Sequence, residues 1–320
     1  MSKKLIWLFF ILVTIIAPFV GSVDLHVNNI INFKGFEAQI FYDIRLPRVV
    51  YTFFAGSILG ITGLVFQTLF RNALMTPYTL GISSGATLGA GIAIKLGLSS
   101  MLFGIAAVSL FGFLGAMLTI FLLLYLSRFL QSSQQISLLL LGIALSLFYS
   151  AALMIVFYLG TSIQNDMLIR FTMGSLSVIG WENPILLAII GIFTTLIVYL
   201  YRFELQLLSL SNESAELKGV NSKKITLILL ILSSFAIGIL VSISGPIGFV
   251  GLIVPHIVSK LYPFTIQKRI LTTSLFGGFF LLFCDTVTRI IPTQSELPIG
   301  IITALIGGPF FITLIIKRHK

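Results

Sequence analysis

Few side chains in this 320-residue chain are equipped for chemistry. No G-x-x-x-x-G-K-[ST] stretch occurs, so the chain has no phosphate cradle of its own and is not expected to hydrolyse nucleotide. H-E-x-x-H, G-x-S-x-G and Cys/His clusters are also missing. Three reactive types lie deep in apolar runs: His256, Cys284 and Asp285. An ionisable group there is costly and marks a functional suspect. For His256, a ring bonded to a neighbouring backbone competes with a ligand role. Cys284 is the sole cysteine, which excludes an internal disulfide, and it reads as a small buried hydrophobe. An enzyme working inside the membrane would need His256, Asp285 or Cys284 to converge, and no paired carboxylate or Ser with a base is evident. The expectation is a protein that is not an enzyme, with no metal and no directly bound cofactor.

The residues that could position such groups are overwhelmingly apolar. Hydrophobic types make up 57% of the chain and charged types 9%, with a mean hydropathy of +1.09, far from the soluble globular range. A span needs roughly 20 apolar residues. Apolar runs at 5–22, 48–69, 79–97, 103–126, 136–159, 183–202, 222–243, 246–262, 270–290 and 298–316 predict an all-α polytopic membrane protein of about ten helices, residues 1–320 forming one domain. The net charge of +10 does not point to nucleic acid, because the bases sit at the ends of apolar runs rather than on one polar face.

Placed on ten spans, fourteen bases and three acids fall on the side of the N-terminus, including Lys3, Lys4, Lys218, Lys223, Lys224 and Lys260. The opposite side holds six bases and seven acids. This asymmetry predicts both termini in the cytoplasm of a multi-pass protein of the cytoplasmic membrane. Lys3 and Lys4 followed by Leu5 to Val20, with no A-x-A-like site after them, read as an uncleaved first span.

Glycines at four-residue spacing, Gly56 and Gly60, then Gly81, Gly85 and Gly89, suit close helix packing in lipid. The eighth span, Ser244 to Tyr262, carries Gly245, Pro246, Pro255 and His256. Each proline removes a backbone donor. The freed carbonyls must meet protein or a watered cavity, as beside a transport route or in a kinked packing helix. The polar stretch from Gln206 to Lys224 sits between two spans on the basic side and reads as a short helix. Ser211 or Asn212 can cap it, Glu213 and Glu216 suit the positive end of its dipole, and Gly219 suits its end. Two helical turns are unstable alone, so this element needs a partner surface.

Several blocks in order resemble the FecCD-type permease subunits of ABC importers for iron-siderophores, haem and cobalamin. They are RLPRVV at 45–50, GLVFQTLFRNALMTPYTLGISSGATLGA at 63–90, LLLLGIALS at 138–146, MGSLS at 173–177 with Trp181, SGPIGFVGLIVPHI at 244–257 and ELPIGIITALIGGPFF at 296–311. The resemblance runs from about residue 44 to 316. It implies a type II ABC importer permease fold and a cytoplasmic loop, about 203–223, that docks on separate ATPase subunits through two short helices. Leu210, Glu213, Ser214, Ala215, Leu217, Gly219 and Val220 match the coupling pattern. Ser211-Asn212 departs from the family's usual Gly-Glu there.

The same resemblance implies a second permease subunit, an extracytoplasmic substrate-binding protein, and a ferric siderophore as cargo, with haem or cobalamin as alternatives. ATP would be used by the partner subunit. Arg45, Arg48 and Arg289 are similar to family arginines that receive acidic groups of the binding protein; the competing reading pairs them with Asp43, Asp285 or Glu296. The implied path runs beside the fifth span, with Gln134, Gln135, Ile136 and Ser137 at a gate, Ser146 higher up, and Gly245, Pro246, Pro255 and His256 bordering it. An ion-coupled secondary transporter is a more distant alternative.

Overall fold

The computed structural model describes residues 3–21, 23, 25–31, 35–98, 101–102, 105–127, 129, 134–262, 265–291 and 296–318. Each predicted span has a helix. In chain order these are α1 (Lys3–Ile16), α4 (Leu46–Leu69), α5 (Ile82–Lys95), α6 (Ala107–Ser127), α7 (Gln134–Tyr158), α9 (Glu182–Leu200), α12 (Ser222–Ser244), α13 (Val250–Leu261), α14 (Ile266–Ile290) and α15 (Ile299–Arg318). Between them lie α2 (Val27–Ile31), α3 (Gly35–Gln39), α8 (Ser162–Met173), α10 (Arg202–Leu210) and α11 (Asn212–Leu217). A two-residue ribbon, β1 (Met101–Leu102) with β2 (Ile105–Ala106), precedes α6.

By length and composition, six helices among the described residues can cross a membrane. Three others carry shorter apolar stretches, at Leu5–Phe19, Val250–Leu261 and Ile299–Thr313. The eighth span is the clearest case, because its helix begins only at Val250 and leaves Gly245 and Pro246 in irregular chain. The second span is longer than its apolar run: α3, a π-helical segment at Ile40–Arg45 and α4 make one continuous helix of 35 residues from Gly35 to Leu69.

Helix α4 is the centre of the bundle, with 83% of its most apolar window buried. It packs against α14 through facing glycines. A methyl group on Gly56 would overlap the Gly277 carbonyl, and one on Gly60 would stand 2.8 Å from the Thr273 oxygen. Gly63 meets Gly251 of α13 in the same way, and Gly85 meets Gly115 of α6. The four-residue glycine spacing therefore serves helix contact, as read. Gly81 is different. It precedes α5 with φ +77°, where a left-handed residue turns the chain into the helix.

The traversing helices alternate in direction, so the bundle has two ends. One carries Arg48, Arg289 and the start of α15; the other carries α10, α11 and both described termini. Trp7 Nε1 donates to the Tyr262 hydroxyl at 2.8 Å and ties the start of α1 to the end of α13 at that second end.

Candidate functional site

The segment after α9 folds into two short helices. In α10, Leu205 and Leu208 are buried while Leu210 is 68% exposed. Ser211 stands in extended backbone, and its Oγ accepts the Ser214 N–H at 2.9 Å, so Ser211 rather than Asn212 caps α11. Glu213 occupies the first turn, as expected; Glu216 does not. It lies near the end of α11 and accepts a hydrogen bond from Ser222 Oγ at the start of α12. Helix α11 stops as Gly219 predicts. With φ +80° at Gly219, its N–H donates to the Glu216 carbonyl at 2.9 Å and the Val220 N–H to the Ala215 carbonyl at 3.0 Å. Asn221 then caps α12 by accepting the Lys224 N–H.

Caps thus follow one another from Ser211 to Lys224 without a slack residue. Ala215 is buried and holds α11 down, while Leu217 is 89% exposed. Two apolar side chains, Leu210 and Leu217, project from a rigid elbow whose own core is already filled. This geometry can transmit force: a partner gripping the elbow would pull on α12 through the Glu216–Ser222 bond and the Asn221 cap.

At the opposite end, two of the three arginines that the resemblance assigns to docking are buried. Arg45 and Arg48 are 6% and 7% exposed. Arg48 donates through Nε and Nη2 to Asp285 Oδ1 at 3.1 and 2.8 Å, and through Nη1 to Glu296 at 2.7 and 2.9 Å. Arg289 Nε lies 3.2 Å from Asp285 Oδ2. Two cations and two anions balance, which is how buried charge is tolerated. Arg289 also donates to the Ala17 and Val20 carbonyls, and Arg45 to those of Pro18, Phe19 and Val23. Both guanidiniums therefore clasp the carbonyl-rich end of α1 and its 3-10 turn, where positive charge is favoured. Own-chain pairing holds for Arg48 and Arg289 with Asp285 and Glu296, and Arg45 takes backbone carbonyls.

Glu296 is the exposed member, with 54% of its side chain accessible, and it also accepts from Ser177 Oγ at 2.8 Å. Burial alone would push its carboxyl up; the Arg48 charge and hydrogen bonds outweigh that and hold it below the ordinary carboxylate range. A polar cavity of about 350 Å³ opens beside this quartet, lined also by Arg170, Ser175 and Thr288.

The broken eighth span joins the two ends. Gly245, with φ +69°, packs against the Phe171 carbonyl, and Ser175 N–H donates to the Ser244 carbonyl at 2.7 Å. Pro255 sits inside α13, so the Gly251 carbonyl four residues earlier lacks its helical donor. Gln67 of α4 supplies one: its Nε2 donates to the Gly251 and Leu252 carbonyls at 3.2 and 3.3 Å. The protein, not solvent, thus repairs the break. Gln67 was visible in the sequence only as part of a family block. His256 has no hydrogen-bond partner at Nε2, against the expected backbone bond, and its ring meets Phe310 edge-on at 5.7 Å.

Of the residues expected along the path, Gln134, Gln135 and Ile136 begin α7, and their side chains lie outside the described ones. Ser137 is half-buried near the same end, and Ser146 donates to the Gly142 carbonyl at 2.9 Å. Helix α7 buries only 11% of its most apolar window, leaving Leu147, Met154 and Tyr158 outward. Cys284 and Asp285 are buried at 0% and 1%, and His256 lies on α13 rather than beside them; Asp285 is held by arginines. The three do not form a reactive centre.

Residues 8–317 match the model of the FecCD transport family. A probable iron chelatin transport system permease protein of Helicobacter pylori is 36% identical over 281 residues, covering 88% of this chain and 83% of that one. The hemin transport system permease HmuU of Yersinia pestis is 33% identical over 303 residues, with coverages of 94% and 90%. The vitamin B12 import system permease BtuC of Pectobacterium atrosepticum is 34% identical over 285 residues, with coverages of 88% and 84%. Among solved structures, an inward-facing candidate metal-chelate type ABC transporter superposes with a TM-score of 0.83 at 30% identity and covers 97% of both chains.

Proposed function

The chain belongs to the FecCD transport family and is an ABC importer permease, and on that premise we propose that it carries a ferric siderophore, or another iron chelate, across the cytoplasmic membrane. A relative named for iron chelatin supports this cargo, beside others named for hemin, vitamin B12 and molybdate; haem and cobalamin are the alternatives. The observation that carries the mechanism is the capped elbow of α10 and α11, which presents Leu210 and Leu217 to a partner while bonded directly to α12. ATP binding and hydrolysis in separate ATPase subunits shift the permease between outward-open and inward-open packings through this elbow. Both termini and the elbow face the cytoplasm, in keeping with the basic residues at that end. A second permease subunit packs beside the first and the cargo passes between them, along α7 with Gln134, Gln135, Ile136, Ser137 and Ser146, and past Gly245, Pro246, Pro255 and His256.

A substrate-binding protein docks at the other end. For its acidic groups to reach Arg48, they have to displace Glu296, which already occupies that guanidinium. Glu296→Gln is therefore expected to tighten docking, and high salt to weaken it. The decisive assay reconstitutes the permease with its ATPase and binding protein in vesicles and measures uptake of ferric siderophore, haem and cobalamin in parallel. Uptake of the iron chelate alone, only while ATP is consumed, is the expected result. Uptake at the full rate without the ATPase would refute the mechanism, and preference for cobalamin would refute the cargo.

A further inference from the structure

At the end that carries the elbow, a separate polar cavity of about 300 Å³ lies where α4, α10, α13 and α14 meet. Arg71, Asn72, His256, Ser259 and Arg269 contribute to its walls, and among the described residues no carboxylate does. Two guanidiniums and an imidazole therefore converge on a space with no negative charge of its own. Among the described residues, Arg269 makes no ion pair, and its Nε and the His256 Nε2 are buried without hydrogen-bond partners. The Arg269 Nε–H is a donor, and a buried donor left this way is costly unless something accepts from it. At the opposite end of the bundle, by contrast, Arg48 and Arg289 meet Asp285 and Glu296.

From this we infer that the cavity binds a phosphate-class oxyanion, held by Arg71 and Arg269. Planar guanidinium forks match phosphate oxygens in pairs, whereas a carboxylate tip would leave much of the space empty. The site lies where α4 ends and α14 begins, the depth at which a bilayer presents headgroups, and basic pockets between helices at that depth take anionic lipid. Arg71 Nη1 also reaches the Leu210 carbonyl at 3.4 Å, at the junction of α10 and α11. An anion shared by Arg71 and Arg269 links that junction to α14 and braces the elbow. The bracing effect rests on the coupling reading above; the binding does not.

The test uses the full-length permease alone, in nanodiscs of phosphatidylcholine with or without phosphatidylglycerol, and reads retained lipid by native mass spectrometry. A second arm titrates inorganic phosphate in pure phosphatidylcholine. Expected is selective retention of phosphatidylglycerol, or saturable phosphate binding, lowered at least tenfold in R71Q/R269Q and little changed in K268Q, an exposed neighbour. The arm that responds identifies the source. R269K, which keeps the charge but loses the fork, is expected to fall between. Equal retention and equal phosphate binding in the parent and in an R71Q/R269Q variant of unchanged melting temperature would overturn the site. Binding neither anion while protecting Arg269 from modification only in the presence of the ATPase would also overturn it, and would assign the cavity to a partner's carboxylate.

Discussion

Replacing Asp285 by Asn tests the buried charge quartet, because it removes one charge and keeps the volume. In the parent, Asp285 is 1% exposed, accepts from Arg48 Nε and Nη2, and faces Arg289 Nε at 3.2 Å. Asn can keep one acceptor toward Arg48, but Arg289 loses the one carboxylate that pairs with it among the described residues. Breaking one partner of a buried pair costs about 3–5 kcal/mol. Glu296 still neutralises Arg48, and Arg289 retains the Ala17 and Val20 carbonyls, so a value near the low end, about 3 kcal/mol, is expected. At about 1.5 °C per kcal/mol for a chain of 320 residues the melting temperature falls by about 4–5 °C. The chain supplies its own probe: Cys284 is its one cysteine and is fully buried, so a fluorogenic maleimide reports unfolding on heating. Far-UV circular dichroism controls for any local change in thiol access. The double variant D285N/R289M removes the stranded cation and should recover about half of the loss. A single variant that melts within 2 °C of the parent, or a double variant that falls by the sum of its parts, would refute the idea that Asp285 neutralises Arg289.

Three further outcomes follow from the geometry. Gln67→Leu leaves the Gly251 carbonyl above Pro255 without a donor and should cost about 1–3 kcal/mol, read in the same thiol melt; an unchanged melt would mean that the carbonyl is satisfied otherwise. Ser211→Ala removes the cap of α11 and about 1 kcal/mol of local stability, so ATP-driven uptake should drop at an unchanged level of permease in the membrane, and full uptake would count against the elbow as the coupling element. Glu296 is held below its unfolded value by Arg48, so its contribution is present above the unfolded carboxylate value of about 4.3 and is lost as pH falls through the lower folded value. Melting temperatures of the parent and Glu296→Gln should therefore differ near pH 7 and converge in acid; a constant gap would exclude the ion pair as the cause.

Much of the architecture was legible because lipid imposes simple rules. Each of the ten apolar runs holds a helix, and the Ser211 and Gly219 signals mark a capped elbow whose hydrogen bonds the structure then shows. Helix α8 escaped, since its residues include Gln164, Asn165, Asp166 and Arg170 and form no apolar run. Its signal was local: Thr161 and Gln164 make a capping box, and Gln164 reaches the Lys95 carbonyl. The burial of Arg48 was illegible for a different reason. Its partners lie 237 and 248 positions away, and composition cannot tell an exposed guanidinium from one neutralised across the fold. Glu216 was misplaced by the same kind of ambiguity, because an acid near a helix start can serve the dipole or bond to the next helix.

The two ends of the bundle are joined unequally, and this bears on which parts can move. Helices α4 and α14 touch backbone to backbone at Gly56 and Gly277, so sliding one past the other would drive Cα atoms into carbonyls. That pair also carries Arg48, Asp285 and Arg289 at one end and Arg71 and Arg269 at the other, about 36 Å away by the 1.5 Å helical rise over α4. It behaves as a strut. By contrast α7 buries 11% of its apolar window against 83% for the second span, and segments with little buried contact rearrange at the lowest free energy. A force entering at Leu210 and Leu217 passes through the Glu216–Ser222 bond into α12, while the strut resists it. The displacement is then taken up by the weakly packed helices. A crosslink between α4 and α14 is accordingly expected to leave uptake intact, and one that fixes α7 to α5 to stop it; the opposite pattern would show that the strut itself is what moves.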